Sequence, residues 1–237
     1  VEDYENRIRR EIEEKEGLLK DIEETQDLKL MPLRYHKDRL LRTADFSLRY
    51  CDAAANAVRN VTFELKNGDR IALDGANGCG KTSLVKAILA CNKDGEAVSS
   101  DYGTTGILEV PRNLIISYVS QDTSHLKGCL RDFAREKKLD YTLLLALLRQ
   151  LDFERVLFDK DMELYSEGQK KKVLIASSLL TPAHLYIWDE PLNYIDVYTR
   201  MQIEKLLLAF RPTMLFVEHD VRFKETIATG VLHMERN

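Results

Sequence analysis

The chain has 237 residues, enough for one large domain or two small ones. Hydrophobic residues make up 44% and charged residues 31%, which argues against a mainly disordered chain. The 35 basic and 39 acidic side chains give a net charge of −4, which argues against a dominant nucleic-acid-binding field. The four cysteines show no CxxC spacing, so neither a zinc site nor a disulfide framework is indicated, and a reducing cytosol fits best.

No segment of the sequence has the length and apolarity of a membrane span, and no signal peptide opens it. The charge-free stretch 173–188 is shorter than the ~20 residues that a bilayer requires, and serines, a proline and a histidine interrupt it. We therefore expect a cytoplasmic protein without direct membrane insertion.

Residues 1–30 differ in composition from the rest, with eleven acidic and six basic side chains, one glycine and no proline. Apolar residues recur there at helical spacing, at Tyr4, Ile8, Ile12, Leu19 and Ile22. This narrow stripe predicts an amphipathic helix, which is either one arm of a helical hairpin or a solvated terminal helix. Pro32 ends or kinks the helix.

From about residue 42 the hydrophobic period changes, and strands alternate with helices. The predicted strands cover 45–50, 61–65, 71–74, 114–119, 185–188 and 214–217. The predicted helices cover 82–91, the leucine-rich stretch 126–161, 170–180, 197–210 and 222–228, whereas 92–111 is polar and irregular. This alternation indicates an α/β domain with a parallel sheet.

A glycine-rich loop follows the predicted strand 71–74. Residues 75–82, GANGCGKT, match the pattern GxxxxGK(S/T), with a strand before it and a helix after it. Glycines let successive backbone N–H groups curl around a phosphate, and the start of the following helix favours an anion. Lys81 would reach the β- and γ-phosphates, and the Thr82 hydroxyl would bind Mg²⁺. A glycine-rich turn that merely contains a lysine would not explain the whole pattern.

The predicted nucleotide-binding residues are Gly75, Asn77, Gly78, Cys79, Gly80, Lys81, Thr82 and Ser83. Cys79 stands beside a lysine and a helix start, an environment that favours the thiolate. We therefore expect Cys79 to react with alkylating reagents faster than the other cysteines.

An acidic pair follows a second apolar strand. Residues 185–188 are apolar, and Asp189 and Glu190 stand where this strand leaves the core. Asp189 would hold Mg²⁺ through water, and Glu190 would polarise the attacking water as a general base. The alternative is an acidic turn before Pro191, which is credible for the pair alone but weak beside a phosphate loop.

Residues 165–169, YSEGQ, resemble the signature motif LSGGQ of ATP-binding-cassette (ABC) ATPases, with tyrosine replacing leucine and glutamate replacing the first glycine. Ser166 and Gln169 also form the pattern of a helix capping box, which is compatible with the motif. The resemblance implies that Ser166, Gly168 and Gln169 contact the γ-phosphate of an ATP held by an opposing cassette.

Other elements follow in the order found in the ABC family. Gln121 resembles the glutamine that reaches Mg²⁺ and the attacking water. Residues 192–196 resemble the D-loop, which ends in Asp196, and His219 resembles the switch histidine that contacts the γ-phosphate. The resemblance implies that Gln121, Glu190 and His219 act in catalysis.

Tyr50 resembles the aromatic residue that stacks on adenine, with Phe46 as the alternative. The resemblance covers about residues 40–237 and implies the fold of a P-loop ABC cassette. That fold has a mixed or parallel core sheet, an antiparallel β subdomain and a small α-helical subdomain. The resemblance also implies ATP and Mg²⁺ as cofactors, and ATP hydrolysis at a site completed by a second cassette from the same full-length chain or from a homodimer.

Two stretches are similar to motifs of the ABC-F group. Residues 189–196, DEPLNYID, are similar to its DEPTNHLD stretch, and residues 217–223, VEHDVRF, are similar to its SHDRxF motif. The departures at Leu192, Tyr194 and Ile195 resemble the antibiotic-resistance branch of the group.

The ABC-F resemblance implies two cassettes in one chain, joined by a charged helical linker that enters the ribosome. Residues 1–36 would be the returning linker arm and 37–237 the second cassette, with ribosomal protection against antibiotics as the expected role. The alternative is the ATP-binding subunit of a membrane transporter. A third hypothesis, a scaffold that binds nucleotide without hydrolysing it, is disfavoured by the intact lysine, carboxylates and histidine of the motifs.

Overall fold

The structure is a computed structural model that describes residues 30–52, 55–94 and 102–235. The predicted linker arm 1–36 therefore lies mostly outside the described residues, and its helix stays a prediction. None of the described helices combines the length and the apolar character needed to cross a membrane.

The described residues form eight strands and six helices. The strands are β1 (Arg39–Tyr50), β2 (Val58–Lys66), β3 (Arg70–Asp74), β4 (Tyr102–Glu109), β5 (Ile116–Val119), β6 (Leu185–Asp189), β7 (Met214–Val217) and β8 (Gly230–His233). The helices are α1 (Lys81–Asp94), α2 (Leu130–Glu136), α3 (Tyr141–Gln150), α4 (Glu167–Leu180), α5 (Val197–Phe210) and α6 (Val221–Ile227).

Two sheets organise the described chain. The core sheet has five parallel strands in the order β5-β6-β7-β3-β8, and the second sheet has three antiparallel strands in the order β2-β1-β4. The predicted α/β cassette fold with a parallel core and an antiparallel β subdomain is therefore confirmed. Since β6, β7 and β3 are neighbours and parallel, the loops that follow them emerge at the same edge of the sheet.

Strand β6 separates two hydrophobic clusters. All five of its residues are buried, as expected for a central parallel strand. Tyr186 and Trp188 pack into a cluster with the α-helical subdomain, whereas Leu185 and Ile187 pack into a cluster with α1 and the antiparallel sheet. This alternation follows from the period of two along a strand. Both faces of the core sheet are thus covered, and polar side chains are left to its edges.

The α-helical subdomain is built from short helices with polar caps. Leu144, Leu147 and Leu148 of α3 are buried at helical spacing, and the Asp140 carboxylate accepts the backbone N–H of Leu143 at 3.0 Å. The leucine-rich stretch 126–161, predicted as helical throughout, is interrupted by turns and by the 3-10 segment Arg155–Leu157. Its leucines follow the helical period, but the period does not show where one helix ends and the next begins.

The prediction that 92–111 is irregular is wrong for Tyr102–Glu109, which forms β4 and pairs with β1. Its side chains are mostly exposed, and Gly103 and Gly106 lower its strand propensity. Gly106 has φ +78°, and a Cβ there would collide with the backbone of β1. Hydrogen bonding to β1, which no local pattern reveals, therefore makes this segment a strand.

Residues 30–36 are attached to the cassette at the amino ends of the core strands. The Leu33 N–H donates to the carbonyl of Ala183 at 2.9 Å. The Tyr35 N–H donates to the side-chain oxygen of Asn67 at 3.0 Å, and the Tyr35 hydroxyl donates to Asn113 at 2.8 Å. These contacts lie on the edge opposite the loops that follow β3, β6 and β7.

A buried polar network joins α4 to the core sheet. The indole N–H of Trp188 donates to the Ser178 hydroxyl at 2.9 Å, and the hydroxyls of Ser178 and Ser117 are 2.7 Å apart. All three side chains are buried. Each polar group in this network depends on its neighbours, because leaving a buried donor or acceptor without a partner is unfavourable.

The variant Ser178→Ala should lower the free energy of unfolding by about 1–3 kcal/mol, because the Trp188 indole loses its buried acceptor. Urea unfolding followed by the fluorescence of Trp188, the only tryptophan, measures the change. Ser124→Ala at an exposed position is the control and should change stability by less than about 0.5 kcal/mol. Equal unfolding free energies for Ser178→Ala and the parent chain would contradict the role given to the network.

Candidate nucleotide site

The loop between β3 and α1 needs glycine at its two ends. Gly75 has φ +149° and Gly80 has φ +96°, a half of the backbone map that side chains rarely enter. A Cβ at Gly75 would collide with the carbonyl oxygen of Met234, and one at Gly80 would collide with that of Ala57. The two ends of the loop thus lie close to the backbone at Met234 and at Ala57, while its tip at 76–78 is exposed.

Lys81 is buried within this loop. Its ammonium donates to the carbonyl oxygens of Gly75 at 2.7 Å and Ala76 at 3.1 Å, so the loop closes around the cation. Thr82 and Ser83 follow in the first turn of α1 and are partly exposed. The loop therefore presents backbone N–H groups, a cation and a helix start to one region, the arrangement that binds phosphate.

Cys79 is 3% exposed, whereas Cys51 and Cys129 are exposed. This burial argues against the expectation that Cys79 reacts faster than the other cysteines. A reagent must reach the sulfur before it can react, and burial hinders this.

Asp189, the last residue of β6, is 0% exposed, and neither of its carboxylate oxygens has a hydrogen-bond partner among the described residues. Burial raises the pKa of this carboxyl, and the Thr82 side chain opposes the increase. A buried carboxylate beside a hydroxyl suits a hard cation with oxygen ligands such as Mg²⁺. The described residues contain no cluster of three or more His, Cys, Asp or Glu side chains that could hold a metal.

Three side chains converge on the carboxylate of Glu190. Gln121 and Asn193 each donate an amide N–H to Oε2 at 2.8 Å, and Nε2 of His219 lies 3.2 Å from Oε1. Glu190 has φ +49°, and its backbone N–H donates to the carbonyl of Val217 at 3.0 Å. The predicted catalytic residues Gln121, Glu190 and His219 thus meet in one cluster beside the end of β6.

No individual role was predicted from the sequence for two residues at this edge of the sheet, Asn193 and Glu218. Asn193 contacts Glu190 directly, and Glu218 is a buried carboxylate at the end of β7. Glu218 accepts the backbone N–H of Leu192 at 2.8 Å and that of His219 at 3.0 Å, and burial raises its pKa. The sequence does contain a signal for Glu218, because this carboxylate stands at the end of an apolar strand, as Asp189 and Glu190 do.

The signature residues lie at the start of α4. The predicted capping box is confirmed: the Ser166 hydroxyl accepts the N–H of Gln169 at 3.2 Å, and the Gln169 side chain accepts the N–H of Ser166 at 2.9 Å. A Cβ at Gly168 would lie 2.5 Å from the carbonyl oxygen of Tyr194. The signature therefore packs against the D-loop and is not gathered into the cluster around Glu190.

Asp196 caps α5. Its carboxylate accepts the N–H and the hydroxyl of Thr199 at 2.8 and 2.7 Å, and Lys172 lies 3.1 Å away. Burial opposes ionisation of Asp196, but the bonds from Thr199 and Lys172 outweigh it and hold the pKa below its usual range.

The two aromatic candidates for adenine differ in burial. Phe46 is 1% exposed, so protein covers both faces of its ring. Tyr50 is partly exposed at the end of β1, and its hydroxyl lies 3.1 Å from that of Ser83 in α1. Tyr102 meets the Tyr50 ring edge-on with centroids 5.9 Å apart, which leaves Tyr50 the better placed of the two beside the phosphate loop.

The fold and this edge of the sheet define an ATP-binding cassette with a P-loop. Residues 58–193, more than half of the chain, match the ABC transporter family, and the chain belongs to that family.

Named relatives agree with this assignment. The chain is 30% identical over 190 residues to the ATP-binding protein Uup of Buchnera aphidicola, covering 76% of this chain and 30% of that protein. It is 25% identical over 184 residues to ABC transporter F family member 5 of Arabidopsis thaliana, covering 75% of this chain and 25% of that protein. The chain thus spans less than a third of the length of these relatives.

Solved structures share the fold. A bacterial ABC transporter cassette solved as a dimer has a TM-score of 0.64 at 18% identity, covering 82% of this chain and 94% of that one. The ATP-binding subunit of an ABC transporter has a TM-score of 0.65 at 24% identity, covering 82% of this chain and 86% of that one.

Maleimide should label Cys51 and Cys129 before Cys79 and Cys91, because the last two thiols are buried. Peptide mapping of the native chain after short exposure measures the order of labelling. The unfolded chain in urea is the control, in which all four cysteines should react. Preferential labelling of Cys79 in the native chain would contradict the closed loop around Lys81.

Proposed function

We propose that this chain is the second cassette of a cytoplasmic ABC-F protein, which binds Mg·ATP, hydrolyses it between two cassettes and acts on the ribosome. The observation that carries the proposal is the Glu190 carboxylate, held by Gln121, Asn193 and His219 beside the buried Asp189. This arrangement combines a base, its orienting groups and a cation ligand at the end of a phosphate loop.

The loop residues would bind the nucleotide. Backbone N–H groups of 75–82 would surround the β-phosphate, and the Lys81 ammonium would exchange its loop carbonyls for β- and γ-phosphate oxygens. Tyr50 would stack on adenine. Mg²⁺ held by Thr82, Asp189 and Gln121 would neutralise phosphate charge.

Glu190 would act as the general base. Its Oε2 is fixed by two amide donors and its Oε1 by the histidine, so the carboxylate has one orientation in which to accept a proton from water. His219, half-exposed at the same edge, would contact the γ-phosphate. Glu218 holds the backbone on both sides of this base, at Leu192 and His219, and would limit its movement.

The site would be completed by a second cassette. Ser166 and Gln169 bond to each other at the start of α4, and Gly168 packs on Tyr194. None of these contacts involves the phosphate loop, so the signature would serve a nucleotide held by another cassette. Asp196 anchors the D-loop beside it. The second cassette would come from the same full-length chain or from a second copy.

The ABC-F assignment rests on sequence. The motifs at 189–196 and 217–223 are similar to those of that group, and one relative is named an F family member. The departures at Leu192, Tyr194 and Ile195 support ribosomal protection against antibiotics as the role. Residues 1–36 would be the returning linker arm, and its last residues are attached to the cassette through Tyr35.

Co-sedimentation of the full-length protein with ribosomes tests the partner. ATP-dependent binding to ribosomes would support the proposal. Absence of ribosome binding, together with ATPase activity that depends on a membrane-spanning protein, would favour the alternative of a transporter subunit.

The variant Glu190→Gln should lower ATP hydrolysis by about 10²–10⁴-fold and leave ATP binding intact, because the amide keeps the shape but not the basicity of the carboxylate. Lys81→Ala should instead weaken ATP binding by about ten- to hundredfold, because it removes the cation on the phosphates. Nucleotide titration and turnover assays of both variants separate the two effects. Glu225→Gln, which removes an exposed carboxylate, is the matched control. Hydrolysis by Glu190→Gln at the parent rate would rule out Glu190 as the base.

ATPase activity of the chain alone should rise more than linearly with protein concentration, because each site requires the signature of another cassette. Turnover measured over a dilution series, with sedimentation velocity on the same samples, gives both activity and association state. A high activity that does not change with concentration in a monomeric sample would exclude the shared site.

A further inference from the structure

Two side chains of helix α4 form hydrogen bonds with the loop that carries Gln121. The Thr123 hydroxyl donates to Oε2 of Glu167 at 2.5 Å, and the Lys171 ammonium donates to the carbonyl oxygen of Ser120 at 2.9 Å. These contacts fall on either side of Gln121. Glu167 and Lys171 are four residues apart on α4 and therefore lie on one face of the helix.

The two contacts differ in their exposure to water. Lys171 is 2% exposed and Thr123 is buried, whereas the Glu167 side chain is 51% exposed. Burial lowers the pKa of Lys171, and the charges of Asp189 and Glu190 oppose that decrease, which agrees with an ammonium lying behind the acidic pair. The bond from Thr123 holds the pKa of Glu167 below its usual range, so this carboxylate is a charged acceptor. Hydrogen bonds to charged groups are stronger than those between neutral groups.

The side chain of Gln121 is exposed and is held at its far end by Glu190. Its backbone is therefore the part that α4 can fix. Glu167 occupies a signature position where the usual motif has glycine, which has no side chain to reach Thr123. The contact is a property of this sequence and not of the motif.

We propose that Glu167 and Lys171 are positioning residues, which aim Gln121 at Glu190 by clamping Ser120 and Thr123 to helix α4. This inference rests on the proposed function, in which Gln121 and Glu190 serve hydrolysis. Glu167 follows Ser166 directly, so a ligand that moves the start of α4 also moves the clamp. The position of the signature is thereby coupled to the orientation of the base within one cassette.

Thr123→Val, which removes the hydroxyl and keeps the shape, tests the clamp against Thr123→Ser, which keeps the hydroxyl. The valine variant should lower kcat about tenfold, since small displacements of catalytic groups have large effects on rate. ATP affinity should stay within about twofold of the parent, and the serine variant should retain the parent kcat. Lys171→Met should follow the valine variant, and Lys127→Met, which removes an exposed lysine charge, is its control.

A double-mutant cycle separates positioning from general damage. If Thr123 acts through Gln121, Thr123→Val should cause no further loss of kcat in a Gln121→Ala background. An equal loss in both backgrounds, a parental kcat for Thr123→Val, or an equal fall in ATP affinity and kcat would each overturn the clamp.

Hydrogen exchange supplies a readout that does not depend on turnover. Amides of residues 120–124 should exchange faster in Thr123→Val and Lys171→Met than in the parent chain and Lys127→Met. Unchanged exchange would also overturn the clamp. A parent chain that neither binds nor hydrolyses ATP would overturn the proposed function instead, and the exchange result would still decide whether α4 holds the loop.

Discussion

Parallel hydrogen bonding aligns β3, β7 and β6 so that their carboxyl ends lie side by side, with Leu73 opposite Val217 and Val217 opposite Asp189. Each strand is short and is followed at once by a polar loop. The phosphate loop, the acidic pair and the switch histidine therefore meet through strand register, although they are far apart along the chain. A slip of β6 by one residue would reverse the facing of all its side chains and turn Asp189 away from the phosphate loop.

The same register buries two carboxylates, Glu218 and Asp189, whose surroundings differ. Glu218 is satisfied by backbone N–H groups of the two loops that it joins, so its charge serves as a structural tie. Asp189 has no such donors among the described residues. Burial disfavours the charged form of Asp189, so the site gains most from a ligand that brings further positive charge to it. Glu218 and Asp189 thus differ in the hydrogen-bond donors around them and not in how deeply they are buried.

Features with a local cause were predictable from the sequence. Gly75 and Gly80 mark the loop because only glycine avoids the neighbouring backbone, and Ser166 with Gln169 marks a helix start because capping acts within one turn. Features with a distant cause were not predictable. Strand β4 depends on pairing with β1, and the burial of Cys79 depends on chain segments that pack over the loop. The role of Asn193 likewise appears only when the turn after β6 aims its amide at Glu190.

Residues 30–36 attach to the domain far from the residues that form the candidate nucleotide site. Strand β6 starts two residues after Ala183 and runs five residues to Asp189, a rise of about 17 Å at ~3.3 Å per residue. Leu33 thus joins the domain about a full strand length from the phosphate loop. For protein engineering, this makes the side near Leu33 a suitable point for surface tethers, because it is remote from the edge that carries Glu190.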